Sequence, residues 1–128
     1  MQTQHRAHNQ YASVATSTRT DGASAHRLVA LLFEECLTCM KRTELALRND
    51  AADLAGTAAS KGGAILKSLT GSLDFQKGGA IAEDLQAIYT YCQDRLSNAI
   101  TKRSADEAAE AHRILSEIAS GWDAIGGK

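Results

Sequence analysis

Residues 73–96, LDFQKGGAIAEDLQAIYTYCQDRL, decide the fold of this 128-residue chain, because they set a glycine pair directly ahead of one periodic helix. After Gly78-Gly79, the residues Ile81, Leu85, Ile88, Cys92 and Leu96 step by 4, 3, 4 and 4, the spacing of a stripe down one helix face. Tyr89 and Tyr91 lie beside or opposite that stripe, where a ring can cover the edge of a bundle or meet a partner. The other segments supply neighbours for this helix.

The length suits one domain with a real core. Alanine makes up much of the apolar content and proline is absent, so an all-helical domain is expected. A net charge of -1 gives no field that would gather nucleic acid or anionic lipid. No apolar run approaches the ~20 residues needed to cross a bilayer, and MQTQHRAHNQ has no hydrophobic signal segment. A cytoplasmic protein without membrane insertion is the expectation. Three cysteines, Cys36, Cys39 and Cys92, suit reduced core thiols better than a disulfide framework.

Residues 1–22 are polar with no sustained apolar period and read as a mobile N-terminal arm or cap, with Tyr11 and Val14 spaced as one helical turn that could dock. Residues 23–126 read as an antiparallel, up-and-down four-helix bundle, with helices at about 24–48, 51–73, 79–102 and 105–125. The first helix presents Leu28, Leu31, Leu32, Cys36, Cys39, Met40 and Leu47 inward, with Glu44 and Arg48 paired outside. The second carries Gly56, Gly62 and Gly63, which implies either a loosely held first half or close approach by another backbone. Ile65, Leu69 and Leu73 mark its inward line. In the fourth, Ala108, Ala111, Leu115, Ile118, Trp122 and Ile125 form a heptad-like seam.

The chain offers little reactive chemistry. Cys36 and Cys39 have CxxC spacing, and His5 and His8 could add metal ligands, yet the pair lies mid-helix on an inward face, where buried thiols are the simpler reading. His26 and His112 have no partner at triad or metal spacing and read as surface or boundary residues. Asp74 reads as a cap for the third helix. The glycine pairs belong to no phosphate-binding pattern. No catalytic, cofactor or metal residues are assigned, and binding is favoured over catalysis.

Taken in order, Tyr11, Ala23-Ser24, Leu28, Leu31-Leu32-Phe33, Leu73-Asp74, Lys77-Gly78-Gly79, Ile81-Ala82, Leu85, Tyr89, Tyr91, Arg95-Leu96 and Trp122 resemble the flagellin export chaperones of the FliS family across almost the whole chain. Departures from that pattern include Ala25 for a proline, Ala80 for a glutamate, and Thr90 and Cys92 for an aspartate and a methionine. The resemblance implies a cytoplasmic chaperone that holds the disordered C-terminal segment of flagellin, prevents early polymerisation and presents it to the flagellar type III export gate. It also implies regulatory partners such as an anti-sigma factor or a cochaperone in some bacteria, and no cofactor or enzymatic activity. A plug formed by Tyr11 over a groove lined by Ile65, Leu69, Ile81, Leu85 and Tyr89 is the expected client surface. Two other classes remain open: a generic helical adaptor or regulatory binding protein for another partner, and a thiol or zinc protein with Cys36 and Cys39 exposed.

Overall fold

The computed structural model describes residues 22–126. They form four helices, α1 (Gly22–Arg48), α2 (Ala52–Gly71), α3 (Phe75–Lys102) and α4 (Ala105–Gly126). Connections of two or three residues cannot span the length of a helix, so each helix must reverse against the one before it. The described residues form an all-α, up-and-down four-helix bundle in which α1 packs on α2 and α4, and α3 packs on the same two. Tyr11, Val14, His5, His8 and Gly127 lie outside the described residues.

Each reversal has a local cause. Asp50 and Arg103 adopt left-handed backbone at φ 55 and 51, which turns the chain out of α1 and α3. The Ala51 N–H then reaches the Ala46 carbonyl at 2.8 Å, and the Ser104 N–H reaches that of Ala99 at 2.9 Å, so both helix ends are closed by backbone bonds. Asp74 caps α3 as expected, accepting from the Lys77 N–H at 3.0 Å. The helix starts three residues before the glycine pair and breaks at Gly79, whose φ of 50 and ψ of -122 suit only glycine without strain.

The core joins Phe33, Cys36 and Met40 of α1, Leu66 and Leu69 of α2, Tyr89, Cys92 and Leu96 of α3, and Ala108, Ala111 and Leu115 of α4. On α3 the inward line is Ala82, Leu85, Tyr89, Cys92, Leu96 and Ala99, stepping 3, 4, 3, 4 and 3. The apolar stripe expected from Ile81 therefore runs one residue off at its start: Ile81 is 71% exposed while Ala82 is buried. A small alanine carries little weight in a search for large apolar residues, although it is what fits where helices approach closely. Tyr89 is likewise no edge residue, being 3% exposed with its ring 6.4 Å from that of Phe33. On α1, Leu31 points outward at 47% exposure because it lies roughly 200° around the helix from Phe33, which takes the core position. Ile125 extends the α4 seam beyond the packed region and is exposed.

Candidate binding groove

A groove of about 590 Å³ runs between α2 and α3. One wall is Gly56, Ala59, Ser60, Gly63, Ala64 and Lys67 from α2, and the other is Gln93, Asp94, Leu96, Ser97, Ile100 and Thr101 from α3. Its existence follows from side-chain size. A Cβ placed on Gly56 or Gly63 would meet nothing within 4 Å, so these positions leave space that a larger residue would occupy.

The adjacent Gly62 behaves oppositely. A Cβ there would lie 3.2 Å from Leu96 Cδ1 and 3.3 Å from Cys39 Cβ, so glycine lets α2 settle close to α1 and α3. Gly62 is thus approached by side chains of α1 and α3 and not by another backbone, whereas Gly56 and Gly63 face open space. The groove mixes small apolar surface with the charged ends of Lys67 and Asp94 and with serine and threonine hydroxyls. Thr101 spends its hydroxyl on the Ser97 carbonyl at 3.0 Å. Such a surface can seat a chain segment but offers no reacting pair.

The five groove residues expected from sequence do not converge on this space. Leu69 and Tyr89 are buried in the core, and burial pushes the Tyr89 hydroxyl up to about 12. Leu85 and Ile65 are half-buried against the core. Ile65 follows Lys61 by one helical turn, and Lys61 reaches Glu35 on α1 at 2.8 Å, so Ile65 borders the α1–α2 seam rather than the α2–α3 groove. Ile81 stands in solvent. Tyr11 lies outside the described residues. The groove lies between the two helices that carry those five residues, but its lining includes Ser60, Ala64 and Ser97, which carry no hydrophobic signal. The one available signal was the spacing of Gly56, Ser60 and Ala64, small residues at successive i+4 positions.

The thiols are sealed. Cys36, Cys39 and Cys92 are all buried and free. Burial raises the pKa of each, that of Cys92 to about 11, so they remain protonated at neutral pH. Cys36 Sγ lies 3.6 Å from the Gly62 carbonyl oxygen, and Cys92 Sγ lies 3.8 Å from that of Ala111. The exposed, reactive pair that a thiol or zinc protein requires is not what this bundle presents. Among the described residues no group of three His, Cys, Asp or Glu could hold a metal ion. No helix among them is long and apolar enough to cross a membrane.

His26 turns out to be more than a boundary residue. Its ring stacks on Trp122 at 4.3 Å between centroids and 2° between planes. Trp122 Nε1–H donates to the His26 carbonyl at 2.9 Å, and His26 Nε2 lies 2.7 Å from the Trp122 carbonyl oxygen, a pairing that needs the proton on Nε2. Phe33 meets the same indole edge-on at 6.2 Å. On the α3–α4 side, Arg95 Nη1 donates to both oxygens of Glu107, at 3.2 and 2.9 Å, and its guanidinium lies 4.9 Å over the Tyr91 ring. Tyr91 in turn points its hydroxyl at Glu110, 3.4 Å away.

The motif residues quoted above thus divide between helix entry (Asp74, Gly79), core (Phe33, Tyr89, Leu96) and interhelical brackets (Tyr91, Arg95, Trp122). The family model described as "Flagellar protein FliS" matches residues 7–128. A Salmonella typhimurium protein named flagellar secretion chaperone FliS is 34% identical over 119 residues, covering 92% of this chain and 88% of its own length. A Pseudomonas aeruginosa protein named flagellar secretion chaperone FliSB is 30% identical over 120 residues, covering 94% of this chain and 95% of its own. A Vibrio cholerae protein, again named flagellar secretion chaperone FliS, is 25% identical over 115 residues. These are names of chaperones and not of enzymes. With its family model spanning nearly all of it, the chain belongs to the FliS family of flagellar proteins.

Proposed function

We propose that this protein is a cytoplasmic export chaperone that holds the C-terminal segment of flagellin, keeps it from polymerising early and hands it to the flagellar type III export gate. The match to the FliS family over residues 7–128 carries this reading, together with relatives named for flagellar secretion. The bundle suits the task physically. A client segment that is disordered when free would fold onto the surface, setting side chains at i, i+3, i+4 and i+7 against the bundle and losing conformational entropy as it does so.

The α2–α3 groove and the apolar residues left partly or wholly exposed, Ile65, Ile81 and Leu85, form the proposed client surface. Leu69 and Tyr89 would support it from beneath. Residues 1–22 act in this reading as an arm whose Tyr11 competes with the client, lowering apparent affinity by the fraction of time the site is covered. An anti-sigma factor or cochaperone would be a further partner of the same cytoplasmic complex.

Calorimetry with a peptide covering the C-terminal segment of flagellin from the same organism tests the proposal. Binding at one to one with a large negative heat-capacity change is the expected result, because apolar surface is buried as the peptide folds. No binding by a bundle shown folded by circular dichroism would leave a helical adaptor for another partner as the better reading. At the site, Ile81→Asp should weaken peptide binding without loss of helicity; an unchanged affinity would remove Ile81 from the client surface.

A further inference from the structure

The four seams of the bundle are not fastened alike. Between α1 and α2, Glu35 pairs with Lys61 and Cys36 faces the Gly62 carbonyl. Between α3 and α4, Arg95 grips Glu107 and Tyr91 meets Glu110. The α1–α4 seam is held towards both ends, by the His26–Trp122 bracket at one and by Arg48 with Asp106 at 3.3 Å at the other. Among the described residues, no side-chain hydrogen bond or ion pair joins α2 to α3, and these two helices share the sparsest contact of the four adjacent pairs.

We propose that the bundle opens like a book along the α2–α3 seam, with the α1–α2 and α3–α4 pairs as its two leaves and the α1–α4 seam as its spine. The position of the groove fits this motion. Residues 72–74 tie α2 to α3 at one end of the seam and limit separation there. The groove lies instead towards the other end, where the start of α2 faces the end of α3 and no connection restrains the pair, so that only the close approach of Gly62 to Leu96 and neighbouring apolar contacts hold it shut there. Each leaf keeps its own polar fastenings when the seam parts; the cost is confined to apolar contacts across it. Opening would widen the groove from a surface cleft into a slot that reaches the core. That opening serves client uptake rests on the chaperone reading above; the opening itself does not.

Cysteines introduced as Ser60→Cys with Ser97→Cys, both exposed residues on facing walls of the groove, allow the seam to be bridged by a short bismaleimide. The buried native thiols should leave the reaction selective. Hydrogen exchange read by mass spectrometry on the full chain then compares the leaves with the spine. Before bridging, amides in the first half of α2 and the last half of α3 should exchange at least about ten-fold faster than those flanking Met40 and Leu115, as expected for local opening beneath the global limit. Bridging should abolish that difference while leaving the Met40 and Leu115 regions unchanged. Uniform exchange before bridging, no response to it, or equal slowing of all four helices would each overturn the proposal. A second pair, Ala64→Cys with Asp94→Cys, repeats the test should the first disturb the fold. Flagellin peptide binding separates the two ideas: loss of binding when bridged, but not when the same two cysteines each carry a monofunctional maleimide, ties opening to uptake; equal binding before and after bridging, or equal loss with both reagents, rejects that tie; and no binding by the unmodified protein rejects the chaperone reading while the exchange result stands.

Discussion

The α1–α4 and α2–α3 seams lie on opposite sides of one bundle and are built from different chemistry. Across the first, Trp122 stacks on His26, meets Phe33 edge-on and exchanges two hydrogen bonds with the backbone and ring of His26. Across the second, glycine, alanine and serine face serine, threonine and aspartate over open space. The same four-helix geometry therefore yields a seam defined by direction-dependent contacts and one defined mainly by the exclusion of bulk. A binding protein benefits from having both, since a rigid side fixes the shape that the adaptable side presents.

Removing the indole should have the largest effect on this contrast. Trp122→Ala deletes the stack, the edge contact and one hydrogen bond, and should lower stability by about 3 kcal/mol in urea unfolding, as for large aromatic truncations generally. It should also raise exchange at the start of α1. A loss below ~1 kcal/mol would show that the α1–α4 seam is no better fastened than its opposite.

The thiols sharpen the same comparison, because each bonded pair lies within one leaf: Cys36 with Gly62 across α1–α2, and Cys92 with Ala111 across α3–α4. Burial holds Cys92 up at about 11 from an ordinary 9.0, so the unfolded chain loses this proton first as pH rises. The stability it contributes is fully present below about pH 9 and is lost as pH climbs to about 11, a change on the order of 2 kcal/mol. Urea midpoints should fall steadily over that interval and fall less in Cys92→Ala. A profile flat to pH 11 would mean that the α3–α4 leaf admits water to its core.

Gly79 stands where α3 enters the bundle beside α2. Its φ of 50 and ψ of -122 would strain any residue with a Cβ, so Gly79→Ala should cost about 1–2 kcal/mol although nothing lies within 4 Å of the added atom. Circular dichroism during urea unfolding measures this. An unchanged midpoint would mean that the helix entry relaxes freely.

Much of this architecture was legible in the sequence. The absence of proline, the short connections, the Asp74 cap and the α4 seam, apart from its exposed last member Ile125, were readable because each acts through local geometry or strong hydrophobic periodicity. The lining of the groove was not. Large apolar residues were assigned to binding, yet Leu69 and Tyr89 are what the core itself required, and Ile81 was displaced outward when Ala82 took the interior position. Periodicity reports which residues seek burial; it cannot report where two buried surfaces fail to meet. The His26–Trp122 bracket was hidden for another reason, since it joins residues 96 apart whose meeting depends on the register of α1 against α4.

Gly63→Ala should have the smallest effect and the opposite sign. Gly63 is helical, lies on the groove wall, and an added Cβ meets nothing within 4 Å, so alanine brings no clash while reducing the freedom of the unfolded chain. Stability should rise by about 0.5–1 kcal/mol in urea unfolding. Gly62→Ala, one residue away, controls for the helix-propensity term, because its Cβ must press on Leu96 and Cys39 and should return less of that gain or reverse it. If the two substitutions stabilised equally, the distinction between a tight interface at Gly62 and an open wall at Gly63 would not survive. If Gly63→Ala stabilised the fold while weakening flagellin-peptide binding, glycine would be retained there for the space it leaves to a client, against the preference of the helix itself.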